Sequence, residues 1–225
     1  MPERPNGIGL KLIPGGQPAA ERPSPPEDFM RRANYIDSVA RWELCAAQNR
    51  QQLIATFSSQ IRQVFPQVSY RALYLEGERV FEDGLLELGK GIVKPRGLLE
   101  ASLRGAGMIP AGSTVCFEAA SPDRLRYIPP QYISRWAEDT EKTLGVRAVE
   151  IGPGVLDLEP YLGIRGTVVV APLKTATEDR VYGALVLVHA GGLSSLEPVL
   201  ASQYAAEVAI EVRTLSWAGR LAPDR

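Results

Sequence analysis

An α+β fold is predicted, with helices at both ends of the chain and strands between them. Three observations carry it. Within residues 38–65, Val39, Trp42, Cys45 and Ala46 share one face, and Leu53, Phe57, Ile61 and Val64 continue an apolar stripe of helical period. Two apolar runs, Thr167–Leu173 and Val181–His189, flank the polar segment Thr175–Asp179, which reads as a hairpin loop. A last amphipathic pattern then carries Leu196, Leu200, Tyr204, Val208 and Leu215.

The elements follow in order. Residues 1–28 hold Pro-Gly-Gly-Gln-Pro and Arg-Pro-Ser-Pro-Pro, which support neither a helix nor a central strand, and read as a disordered arm. Within it, Gly7–Ile13 is a candidate strand for docking to a sheet edge. Residues 29–37 are a lead-in, 38–217 the single domain and 218–225 a tail. The first helix opens at Ser38 and stops at Pro66. The aromatic content of Ser69–Leu75 favours a strand, Glu76-Gly77-Glu78 a turn, and Arg79–Glu82 a strand pairing back. In the middle, Arg96–Arg104 and Gln131–Leu144 read as helices ended by Gly105 and Gly145. Thr114–Glu118 and Val146–Ile151 read as strands, Arg124–Pro130 as a loop, and Gly152-Pro153-Gly154 as a turn. The Val181–His189 run is apolar at nearly every position, so both of its faces are expected to be covered. Ser194 or Ser195 is the expected cap of the last helix.

Composition excludes several classes. The 225 residues include 25 Lys+Arg against 26 Asp+Glu, so no net charge marks the chain for nucleic acid or an anionic membrane. No apolar run approaches the roughly 18 residues of a membrane span, and no signal peptide opens the chain, so cytoplasm is the expected location. A single histidine, His189, leaves no His cluster for a metal. Cys45 and Cys116 have no metal-type or C-x-x-C spacing and read as reduced, buried thiols. No phosphate-binding loop and no Gly-x-Ser-x-Gly elbow occurs, and Gly89-Lys90-Gly91 is too short for the former. Asp157 with Glu159, and Glu178 with Asp179, read as solvated loop acids.

Three segments together resemble a known family. Leu162-Gly163-Ile164-Arg165 with Ala171-Pro172-Leu173, then Tyr182-Gly183-Ala184-Leu185-Val186-Leu187, then Tyr204–Glu211, resemble the GAF domain, over residues 38–217. The resemblance implies an antiparallel sheet, related to PAS and profilin folds. The N- and C-terminal helices lie on one face, and a variable helix/loop roof encloses a pocket on the other. The glycine at 183 lets backbone or a bulky neighbour approach closely, and the alanines at 205, 206 and 209 let another helix lie near.

Particular activities of the family are tested by residue. Bilin-binding relatives place a cysteine before the strand that opens this block, where Val155–Pro160 here has neither cysteine nor histidine. His189 stands where those relatives keep a chromophore-contacting histidine, without its partners. The Asn-Lys-x-Phe-Asp-Glu signature of cyclic-nucleotide binders is absent. Relatives that reduce free methionine sulfoxide use several pocket cysteines. That redox alternative requires Cys116 beside another thiol.

No cofactor is called. Tyr127, Tyr132 and Trp136 fall where the family builds its roof, and with Arg126 and Arg147 offer a stacking wall and an anion anchor. The plainer reading makes these aromatics core beneath a long loop, with the arginines reaching solvent. Cys116, Leu187 and His189 complete the candidate ligand-binding set, on the expectation that the face shared by Gly183, Leu185, Leu187 and His189 looks toward the pocket. The resemblance also implies a homodimer through the first and last helices. Trp42 and Trp217 near the helix ends are candidate anchors, because aromatics are enriched at interfaces, and Trp217 is equally a candidate intramolecular cap. No kinase, cyclase or DNA-binding segment follows Leu215, so a signal is expected to leave through a partner. The sequence thus describes a non-enzymatic, stand-alone sensor or regulatory protein that binds a small ligand or a partner protein. The alternative is a degenerate scaffold with no ligand pocket.

Overall fold

In a computed structural model, residues 25–84, 109, 112–118, 121–129, 147–150, 166–178, 180–190 and 196–221 are described. The strands are β1 (Tyr70–Leu75), β2 (Glu78–Asp83), β3 (Thr114–Glu118), β4 (Ser121–Ile128), β5 (Arg147–Glu150), β6 (Thr167–Lys174) and β7 (Val181–His189). They form one seven-stranded sheet in the order β2-β1-β7-β6-β3-β4-β5. Every neighbouring pair is antiparallel. The predicted β6–β7 hairpin is present, with Val169 opposite Leu187 and Ala171 opposite Leu185. Glu76 and Gly77 both take positive φ (49° and 89°), the geometry of a two-residue turn that matches strand twist, so β1 and β2 pair directly across them.

Gly183 sits opposite Leu75 of β1 and Leu173 of β6. A Cβ there would stand 1.9 Å from the Tyr74 carbonyl oxygen and 3.2 Å from Leu173 Cδ1. Only a residue without a Cβ lets the two strands approach this closely.

The helices lie on one face. They are α1 (Pro25–Tyr35), a π-helical segment (Ile36–Ala40), α2 (Arg41–Cys45), α3 (Arg50–Val64) and α4 (Glu197–Trp217). The first helix thus opens at Pro25, inside the span expected to be arm and lead-in. Its start tolerates Pro-Pro because the first turn has no intrahelical N–H bonds to lose. Phe29, Ala33 and Ile36 bury against the rest of the core. The expected single helix from Ser38 to Phe65 is two. The break at 46–49 is fixed by Asn49, whose side chain accepts from Gln52 N–H at 2.9 Å, while Gln52 Oε1 accepts from Gln48 N–H at 2.7 Å. Helix α3 ends before Pro66, as predicted, with Phe65 out of helical geometry.

Polar contacts set the helix order. Arg32 reaches Glu197 at 2.7 Å, Gln203 donates to Asp37 at 2.6 Å, and Arg41 lies 3.6 Å from Glu207. The steady offset shows α1–α2 running parallel to α4. Gln60 on α3 ties the layer together. It donates to the Ala40 carbonyl and to Glu43, and its Oε1 accepts from the Tyr204 hydroxyl at 3.0 Å. Of the alanines expected to permit close helix packing, Ala205 and Ala209 are fully buried and Ala206 is half-buried. Leu196, not Ser194 or Ser195, precedes α4, and it makes no side-chain cap bond. Pro198 removes one N–H in the first turn, and Val199 and Leu200 N–H both reach the Leu196 carbonyl.

Two further differences concern the middle. Residues 124–128, expected as loop, belong to β4, where Leu125 pairs with Phe117 and Tyr127 with Val115. Alternation with a buried partner strand outweighs the Pro129-Pro130 break signal, which acts only past the strand's end. The arm at 1–24, with its Gly7–Ile13 segment, and the helices expected at 96–104 and 131–144 lie outside the described residues.

At the β2 edge, Arg62 of α3 makes a two-bond contact to Asp83 at 2.7 and 3.0 Å. Arg71 joins the same carboxylate at 3.1 Å and also donates to the Phe65 carbonyl. The Arg62 hydrogen bonds and the two positive charges hold Asp83 below the usual carboxylate range. Its contribution is therefore complete above the unfolded-state value and fades as pH falls through the depressed folded value. Asp83→Asn should cost about 2 kcal/mol at neutral pH, because buried Arg71 loses its counter-charge. The gap from wild type should narrow below about pH 4. Urea unfolding at pH 7 and pH 3 measures both.

Candidate functional site

Strand alternation divides the sheet into two apolar faces. The face toward the helices carries Leu73, Leu75, Cys116, Val169, Ala171, Leu173, Leu185 and Leu187, packed with Phe57, Tyr204 and the helix stripes. The opposite face forms a separate buried cluster. Among the described residues, Ile109 is its only member outside the strands. This second face has a distinct profile. Its central strands β7 and β6 contribute Ala184, Val186, Val188, Val168 and Val170. One flank carries Tyr70 and Tyr74 on β1, and the other carries Phe117 on β3 and Tyr127 on β4. Short side chains in the middle and rings at both sides give this buried face a low centre, called the trough below.

The β1 flank has a polar rim. The Tyr70 hydroxyl donates to Glu82 at 2.9 Å, and Arg79 pairs with Glu82 at 3.0 Å. Burial, and the hydrogen bond to Glu82, push the Tyr70 hydroxyl far above its ordinary range, and burial raises Tyr74 too. Both therefore remain protonated at physiological pH and act as neutral hydrogen-bonding groups. Neither tyrosine stood among the sequence candidates. The signal was the period-two spacing of Tyr70, Ala72 and Tyr74.

The candidate residues separate. Tyr127 stands on the trough face. Leu187 and Cys116 do not, since both belong to the helix-side core. His189, half-buried at the end of β7 opposite Thr167, shares the parity of Leu187. The expectation that this parity faces the pocket is corrected. Leu185 and Leu187 are the branched side chains that fill the space against α4, and alternation turns Ala184, Val186 and Val188 to the other side. Arg126 is exposed and alternates with Tyr127, opposite Cys116 in register. Arg147 pairs with Tyr127 across β4–β5, and its side chain, like Tyr132 and Trp136, lies outside the described residues.

The closing strands, the helix layer and the second buried face together match solved structures. The phycocyanobilin-bound GAF domain of a cyanobacterial phytochrome aligns with a TM-score of 0.50 and 12% identity, over 86% of this chain and 96% of that one. The chromophore-binding domain of an unusual bacteriophytochrome from R. palustris aligns with a TM-score of 0.51 and 12% identity, over 88% of this chain and 64% of that one. The fold is GAF-like. No family model matches the sequence, and no curated protein matches it.

On this GAF-like frame, the thiol chemistry is constrained. Both cysteines are free thiols, Cys45 exposed and Cys116 buried. The exposure of Cys45 corrects the sequence expectation of two buried thiols. It follows from the position of Cys45 at the outer end of α2, one residue beyond buried Leu44. Burial pushes the Cys116 thiol up to about 12, so almost no thiolate forms there at neutral pH. Among the described residues, no group of three or more His, Cys, Asp and Glu side chains is placed to hold a metal ion. No helix among them is long and apolar enough to cross a membrane.

Proposed function

We propose that this protein is a sensor or regulatory module that binds a small, largely apolar ligand in the trough. The binding signal then passes to a partner through the helix layer on the opposite face. The observation that carries the reading is the trough itself, a row of Ala and Val between flanking rings on a sheet face separate from the helix-side core. Tyr127 and Tyr74 supply stacking walls, and the Tyr70–Glu82–Arg79 rim a polar handle. Tyr132, Trp136 and Arg147 remain candidate contacts in the same proposal, whereas Arg126, opposite Cys116 in register, has the helix-side parity and is not among them. The neighbours' bilins are not carried over as thioether adducts, because neither thiol of this chain belongs to the trough cluster.

Output is placed on the helices because the exposed large apolar side chains among the described residues all lie there. They are Met30, Val39, Trp42 and Trp217. A homodimer through the first and last helices is part of this reading, as is a cytoplasmic, non-enzymatic role. The redox alternative gains no support from a Cys116 held as a neutral thiol.

One substitution separates the sensor from the scaffold with a filled face. Val170→Phe places a ring in the middle of the trough. If a ligand normally occupies that space, the ligand-free variant should keep its stability and lose every thermal shift that a metabolite library gives wild type. If native side chains already fill the face, the extra ring should cost about 1–3 kcal/mol by overpacking, and wild type should give no ligand shifts.

A further inference from the structure

The C-terminal end of α4 meets the β6–β7 hairpin in a cluster of cations and rings that the ligand reading does not use. Arg213 lies over the Trp217 ring, 4.9 Å from its centroid, and donates to Thr177 Oγ1 at 3.0 Å. Arg180 lies over Tyr182, also at 4.9 Å, and the Tyr182 hydroxyl reaches Glu178 at 2.5 Å. Trp217 nonetheless keeps 70% of its surface in solvent. Arg180 has a carboxylate partner, Glu76 at 3.2 Å. No carboxylate among the described residues pairs with Arg213, and its Nε is buried without a partner. Among the described residues, Arg213 is thus held by stacking and by Thr177, with no carboxylate partner, beside a largely exposed indole.

We infer that this end of the molecule docks an acidic segment of a partner protein, with a carboxylate at Arg213 and an apolar side chain on the open face of Trp217. Trp, Tyr and Arg are the side chains that dominate binding energy at protein interfaces. Stacking on the indole holds Arg213 before the partner arrives, so little ordering is lost on contact. The rim favours a peptide over a nucleic acid. Glu76 and Glu178 flank the arginines and would repel a continuous phosphate backbone, whereas a short acidic segment can place a single charge between them. The inference does not depend on what fills the trough, and it leaves Trp42, Val39 and Met30 to the contact between copies.

The test is selection of random 12-residue displayed peptides on the full chain, with an Arg213→Glu form as counter-selector. Enriched peptides should carry at least two carboxylates and an apolar residue. Their affinity should fall by about ten-fold for Arg213→Glu and for Trp217→Ala, and should weaken with added salt. Arg213→Gln, which keeps the stacking, should retain the fold and lose the charge-dependent part of binding. Circular dichroism confirms that each variant is folded before its affinity is read. Enriched peptides without acidic residues, equal binding to the Arg213→Glu form, tighter binding of single-stranded DNA, or a dimer that dissociates on Trp217→Ala would each overturn the assignment.

Discussion

Gly183→Ala is expected to abolish the native fold or cost at least about 3 kcal/mol. The added Cβ would lie 1.9 Å from the Tyr74 carbonyl oxygen, which is backbone and cannot swing aside as a side chain can. Relief requires β1 and β7 to separate at the end of their ladder, where Tyr74 pairs with Ala184 and Leu75 with Gly183. Both buried faces would open together. The comparison is Ala184→Gly, one residue away, which should cost only about 1 kcal/mol through backbone entropy and a lost methyl. Urea unfolding of the two variants gives the contrast directly. Equal stability of the two would mean that β1 and β7 are not held at this distance.

Phe57→Ala is expected to remove about 3–5 kcal/mol, a large share of the stability of a domain this size. Phe57 is fully buried, stacks on Tyr204 at 5.8 Å and meets Phe81 edge-on at 5.2 Å. It therefore joins α3 to α4 and to the edge strand β2 at one point. Truncation leaves a cavity that three elements border. Helix α4 is also held by the sheet, so the surroundings can relax only in part. The denaturation midpoint should fall with little change in slope, since the surface exposed on unfolding is nearly the same. Tyr204→Phe, which keeps the ring and removes only the hydroxyl bonded to Gln60, should cost about 1–2 kcal/mol.

The closing hairpin and last helix were legible because two signals agree there. Apolar runs of strand length flank a polar turn, and a helical stripe of buried Leu200, Tyr204 and Val208 follows. Gly183 was legible as a close approach for the same reason, since a lone glycine interrupts an otherwise bulky strand. The expected first helix differs at its start and in its middle. The Pro25-Pro26 pair looked like a linker, although prolines in a first turn cost nothing there. The break at 46–49 was written in Asn49 and Gln52, a capping pattern hidden by the continuing stripe of Leu53 and Phe57.

The faces of β7 were not legible. Every residue from Tyr182 to Val188 is buried, so alternation names two faces without saying which one the helices take. Choosing by His189 failed because a residue at the strand's end reports little about packing at its middle. The partner strand β1 held more information. Tyr70, Ala72 and Tyr74 alternate with Arg71, whose guanidinium reaches the Phe65 carbonyl at the end of α3 and so marks the helix side. That contact joins residues whose closeness only the folded chain reveals.

Native mass spectrometry of the protein purified from its own host bears most directly on the trough as a ligand site. The predicted result is the mass of the chain plus a small organic molecule, present in wild type and missing from folded Val170→Phe. The chain's bare mass in both forms, with Val170→Phe destabilised by its extra ring, would contradict it.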